Sequence, residues 1–143
     1  MHIRGLSAKL LGNAARIKKP DATNGSMTST LVLTLVMLLN VSRADANVPA
    51  LREDPALSAR AQARAHAMCG TARLSHDGYL AAFDGLGYGW KGENLAMAYS
   101  DAASIHDQLM QSPRHRDNIL RREFTAVGIG HACNITVELF GGK

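Results

Sequence analysis

Three side chains in this 143-residue sequence have the types and settings that chemistry requires: His76, Glu93 and His115. His76 sits in the polar stretch Leu74-Ser75-His76-Asp77-Gly78. His115 falls in the first turn of a helix announced by Ser112-Pro113, where exposed amides and the macrodipole oppose a positive charge and lower an imidazole pKa. The neutral ring is the form that ligates metal or acts as a base. Glu93, between Gly92 and Asn94, is an acid in a segment otherwise turning apolar. Two imidazoles and one carboxylate suit a divalent ion such as zinc with an open fourth position, which can activate water. The bland alternative is a hydrogen-bonded cluster that ties a loop to a helix. The spacings do not by themselves bring the three together.

Other motifs carry less. Gly87-Tyr88-Gly89-Trp90-Lys91-Gly92 has the form GxGxxG, yet it follows no β-branched strand and opens no helix, so the amides that cradle a dinucleotide are missing. Asn134-Ile135-Thr136 is a glycosylation sequon inside an expected hairpin and is discounted. No Ser/His/Asp triad is evident, and neither cysteine has a histidine at the spacing of an activated thiolate. Cys69 and Cys133 are either buried thiols or, in an exported protein, a pair joining a helix end to a hairpin turn. His66 and His106 fall on helix positions expected to be exposed or half-covered. His131 alternates with the core face of a strand.

These residues must be positioned by a single domain, since the length supports one core and not two. Asp54-Pro55 reads as N-cap and first helical position, with Leu57, Ala61, Ala65 and Met68 as the buried stripe of a helix that ends at Gly70. Residues 71–92 read mainly as loop, with a short helix at Tyr79 to Phe83. A short strand is expected from Asn94 to Tyr99. A helix capped by Ser100 or Asp101 runs to about Gln111, and another from Pro113 to about Leu120. Val127, Ile129 and His131, then Ile135, Val137 and Leu139, form a β-hairpin turning at Cys133-Asn134.

The formal charge of +4 belongs to one end. Residues 1–26 hold five basic side chains against Asp21 alone, while the remainder carries eleven of each sign. A folded body without basic surplus, in a chain with 5% aromatics, excludes nucleic acid as the expected partner. Residues 1–26 are expected to be a poorly ordered basic extension, followed by a single domain over 27–143. The apolar run Leu31 to Val41 is too short for a transmembrane helix. With Ala44-Asp45-Ala46 after it, the segment 31–46 reads either as a signal-peptide core and cleavage site or as the first helix of the fold, over 29–44.

Four ordered motifs give the sequence a resemblance to the CAP superfamily, or SCP domain, of cysteine-rich secretory, antigen 5 and pathogenesis-related proteins. They are Leu74 to Gly78, Gly92-Glu93-Asn94-Leu95-Ala96, Ser112 to Leu120, and Phe124 to Gly130. Upstream, Leu39 to Arg43 and Val48-Pro49-Ala50-Leu51 are similar to the family's first helix and its exit, which favours the folded helix over the signal. The resemblance implies an α+β fold, a three-layer α-β-α sandwich with a small central antiparallel sheet and a surface cleft where His76, Glu93 and His115 converge. It also strengthens the Cys69–Cys133 disulfide. The second acid of many eukaryotic members is missing from Leu109-Met110-Gln111-Ser112, with Asp107 about one turn earlier. The implied protein is secreted or of the cell envelope and monomeric. The leading expectation is a non-catalytic binding module for a small ligand, lipid, protein or divalent metal such as zinc, with a metal-dependent, peptidase-like hydrolase acting through the same cleft, or a structural or protein-interaction module, as the alternatives; no cofactor is expected to be needed for folding.

Overall fold

A computed structural model describes residues 20–71, 73–98 and 101–143, with side chains from residue 28 onward. By packing, the chain divides into two units, residues 1–30 and 31–143; the second contains every core and site residue named below. The basic extension expected over 1–26 lies outside the described residues as far as residue 19. Residues 20–26 are helical backbone, so the first helix starts well before the expected Ser29.

The elements run α1 (Pro20–Asp45), β1 (Arg52–Glu53), α2 (Pro55–Thr71), a 3-10 turn (Tyr79–Phe83), β2 (Trp90–Met97), α3 (Ala102–Gln111), α4 (Pro113–Leu120), β3 (Ala126–Ala132) and β4 (Ile135–Gly142). Asp54 caps α2 through Oδ1, which accepts from the Ala56 amide at 2.9 Å. Asp101 caps α3 by accepting from the Ser104 amide at 2.8 Å.

The sheet order is β1-β3-β4-β2. β4 pairs antiparallel with both β3 and β2, but β1 runs parallel to β3, so the expected antiparallel sheet is mixed. The cause is local. Asn40 on α1 grips Leu51 from both sides, donating to its carbonyl at 3.1 Å and accepting from its amide at 2.8 Å. The segment held there lies along β3, where the Arg52 amide reaches the Thr125 carbonyl and the Asp54 amide the Val127 carbonyl.

Side chains alternate across the sheet, and both faces are covered, which makes three layers. On one face Leu95, Ile135, Val137 and Leu139 pack with Leu57, Ala61, Ala65 and Met68 of α2. On the other, Val127, Ile129 and Phe140 pack with Leu35 and Leu39 of α1, Ile105 and Leu109 of α3 and Ile119 of α4. Gly128 and Gly130 explain how closely α2 approaches. A Cβ at Gly130 would lie 2.4 Å from the Gln62 nitrogen, and one at Gly128 would lie 2.2 Å from the Leu57 carbonyl carbon, so the α2 backbone rests directly on β3.

β2 starts at Trp90 rather than Asn94, paired without a break from Trp90 opposite Gly142 to Met97 opposite Ile135. Its glycine-containing start reads as loop in the sequence. Gly92 is needed there because a Cβ would come within 2.7 Å of the Phe124 ring.

Residues 31–45 of α1 are an integral helix of the second unit. Arg43 is completely buried on it and donates to four carbonyls: Pro49 at 2.7 Å, Ile119 at 2.8 Å, Arg121 at 3.0 Å and Phe124 at 3.2 Å. One guanidinium thus satisfies the C-terminal end of α4 and the chain leading into β3. Cys69 at the end of α2 and Cys133 in the β3–β4 turn form a disulfide, with Cα atoms 5.8 Å apart. Cys133 holds φ at +56°, a left-handed turn position that usually takes glycine, and here a side chain is required there for the bridge.

Candidate functional site

β2 lies at the sheet edge and sends Glu93 to the α2 face and Asn94 to the opposite one. Glu93 is buried, and a buried carboxylate must be paired. Arg64, one turn along α2 from the buried Ala61, grips it with two bonds, Nη2 to Oε1 at 2.9 Å and Nε to Oε2. The same guanidinium donates to the Ser75 carbonyl at 3.1 Å and the Asp77 carbonyl at 3.3 Å, so it also shapes the loop that carries His76. His76 Nδ1 lies 2.9 Å from Glu93 Oε1. An ionised carboxylate only accepts, so Nδ1 carries the hydrogen, and in the neutral ring Nε2 keeps its lone pair on a side chain 57% exposed. Tyr79 meets the imidazole edge-on, with ring centroids 6.3 Å apart.

His115 enters from α4 on the other side of the β2 edge. Asn94 Nδ2 donates to its carbonyl at 3.1 Å, and Asn118 Nδ2 donates to Asn94 Oδ1 at 2.9 Å and to the Glu93 carbonyl at 3.3 Å. Burial lowers the His115 pKa, and the charge of His76 lowers it further, so the two imidazoles lie within electrostatic reach of each other. The expected lowering is present, with desolvation as its leading cause in place of the helix terminus.

The structure therefore joins His76 to Glu93 by a hydrogen bond and places His115 near them. It does not assemble them as three metal ligands. Both Glu93 oxygens are engaged by Arg64, one of them also by His76, and among the described residues no three His, Cys, Asp or Glu side chains are grouped to hold a metal ion. Glu93 has the role of an outer carboxylate that orients a histidine. Asp107 does not supply the missing second acid; it is exposed, and its charge acts on His106. His106 itself is buried and bonded to Ser42 Oγ at 2.7 Å, rather than at the expected exposed or half-covered position, because α1 covers that face of α3.

Sequence reasoning gives no role to Arg64, Asn94, Asn118 or Glu138. Asn94 and Asn118 lie inside the recognised motifs, whereas Arg64 reads as an ordinary solvated helix position. Glu138 is a lone acid in the otherwise apolar run of β4, and that is its available signal.

A profile of the cysteine-rich secretory protein family, CAP, matches residues 36–136. The chain belongs to the CAP family. This CAP chain is 30% identical over 140 residues to the uncharacterized protein YkwD of Bacillus subtilis strain 168, covering 90% of the chain and 54% of YkwD, so it spans about half that relative's length. Among solved structures it resembles an extracellular protein containing an SCP domain from Bacillus anthracis, with TM-score 0.78 and 24% identity over 81% of this chain and 41% of that one. It also resembles an outer surface protein of Borrelia burgdorferi, with TM-score 0.72 and 19% identity over 81% of this chain and 95% of that one. At these identities the two structures establish the fold, and the CAP domain has the α+β sandwich the sequence implied.

Proposed function

We propose that this CAP domain is a non-catalytic binding module, secreted or held at the cell envelope, whose ligand sits on His76 Nε2 and the His115 ring. The observation that carries the reading is the Arg64–Glu93–His76 arrangement. A buried ion pair fixes the imidazole's tautomer and direction, and the fixed ring is the exposed end of the assembly. His115, held toward its neutral form by burial and by the charge of His76, lies within electrostatic reach of it. One oriented imidazole with a second within reach suits an acidic or hydrogen-bonding small ligand, or a divalent cation held by two nitrogens with its other positions open. Extracellular placement is supported by the two similar bacterial structures, one an extracellular protein and the other an outer surface protein.

A peptidase-like hydrolase is the second reading, because a carboxylate oriented onto a histidine is also how a general base is held. It lacks a thiol nucleophile among the described residues, since Cys69 and Cys133 are bonded to each other.

Zinc is a convenient probe for donor imidazoles. Calorimetric zinc titration of the wild type, His76→Ala and His115→Ala is expected to show weak binding at about pH 7.5, loss in both variants, and loss at about pH 5.5 as protons compete for the rings. Unchanged binding in either variant rejects the two-histidine site. Turnover of a broad peptide and ester panel, abolished by the same substitutions, would replace the binding reading with the hydrolase one.

A further inference from the structure

Glu138 lies in the middle of β4 with no solvent exposure, opposite Asn94 on β2 and Ile129 on β3. Its Oε1 accepts from Asn94 Nδ2 at 3.1 Å, and its buried Oε2 has no hydrogen-bond partner among the described residues. Nothing in the His76–Glu93–Arg64 arrangement uses this carboxyl directly. Yet the amide it touches is the one that holds His115, because Asn94 Nδ2 has two hydrogens and the second goes to the His115 carbonyl. Asn118, bonded to Asn94 Oδ1 and to the Glu93 carbonyl, extends the same chain to the other arm of the site.

We propose that Glu138 is a positioning residue for the binding site: through Asn94 it fixes the first turn of α4, and with it His115, against β2, and its proton governs how firmly. The neutral acid makes one modest demand on Asn94 through Oε1. The ionised form spreads a negative charge onto a buried oxygen that no described protein donor reaches, and the Asn94 hydrogens are the nearest ones the geometry shows. Ionised Glu138 therefore competes with the His115 carbonyl for them and slackens the clamp.

Burial pushes the Glu138 pKa up to about 7, and the bond from Asn94 partly opposes it. Among the side chains described, the helices of that layer carry Arg43 and Asp45 on α1, His106 and Asp107 on α3, and Arg114, His115, Arg116 and Asp117 on α4; none of them contributes to the displacement. β2 and β3 bring Asn94 and Ile129 against the carboxyl. The switch therefore lies in the range where small changes outside a cell would move it.

The consequence for binding rests on the two-histidine reading, but the test is made on ligand-free protein and is independent of it. Carbon-13 and nitrogen-15 NMR follow the Glu138 carboxyl, the Asn94 side-chain amide and the His115 carbonyl from about pH 5 to 9. The expected result is one shared midpoint near 7 for all three, with the Asn94 and His115 signals losing that inflection in Glu138→Gln, whose amide oxygen still accepts from Asn94. A Glu138 carboxyl that titrates near its ordinary value of 4.5 would overturn the proposal. So would Asn94 and His115 signals that keep the same inflection in the variant. Should Glu138→Gln fail to fold, the wild-type series decides alone, by whether the His115 carbonyl follows the Glu138 midpoint. Absence of zinc binding together with a shared midpoint would sink the two-histidine reading and support the clamp.

Discussion

Replacing Glu138 with glutamine removes a charge that the interior cannot solvate, and its effect on stability has a definite sign. The folded pKa stands at about 7 against an ordinary 4.5, so the folded chain holds the extra proton between those values. Its stabilising contribution is complete below about pH 4.5 and is lost as pH rises through 7. Glu138→Gln is therefore expected to gain on the wild type by up to about 3 kcal/mol at pH 8 and to lose that advantage near pH 5, read from urea unfolding at the two pH values. His106, His115 and His131 act in the opposite direction. Each has its pKa lowered with burial as the leading cause, so each contributes stability above about pH 6.5 that disappears as pH falls. His76, Glu93 and His115 were legible from residue type and motif. Arg64 was not, because a helix arginine with 16% side-chain exposure looks in sequence like any solvated one.

At the scale of elements, α2 lies backbone to backbone on β3 at Gly128 and Gly130. Gly130→Ala would drive a methyl into the Gln62 backbone, which has no flexible end to give way, and is expected to cost about 1–3 kcal/mol in chemical unfolding, with Gly89→Ala as a nearly neutral control. Arg43→Met keeps much of the stem's bulk but strips four carbonyls of their donor, and is expected to cost about 3 kcal/mol or more. An unfolding midpoint unchanged by Arg43→Met would show that residues 31–45 do not hold the domain together. The helices Pro55–Thr71, Ala102–Gln111 and Pro113–Leu120 were legible because proline or an acidic cap marks each start. The hairpin was legible from its alternation. The start of β2 and the pairing of β1 were not, since glycine-containing sequence reads as loop and a two-residue strand exists only because Asn40 holds its neighbour.

Across the whole molecule, the layered architecture came from four motifs in order rather than from composition, and its mixed sheet is a small departure from the antiparallel one expected. The charge excess in residues 1–26 makes them dispensable in this account: a chain beginning at Met27 is expected to unfold at the same denaturant midpoint as the full chain. The disulfide predicts no reactive thiol when the unreduced protein is unfolded and labelled. The central claim is that two histidines from distant segments share one site, and it depends on long-range convergence that no local pattern contains. It is tested most directly by the NMR titration of the His115 ring in the wild type and in His76→Gln. The His115 midpoint is expected below the ordinary 6.5 and is expected to rise when the neighbouring charge is removed. A midpoint unmoved by the loss of His76 would contradict it.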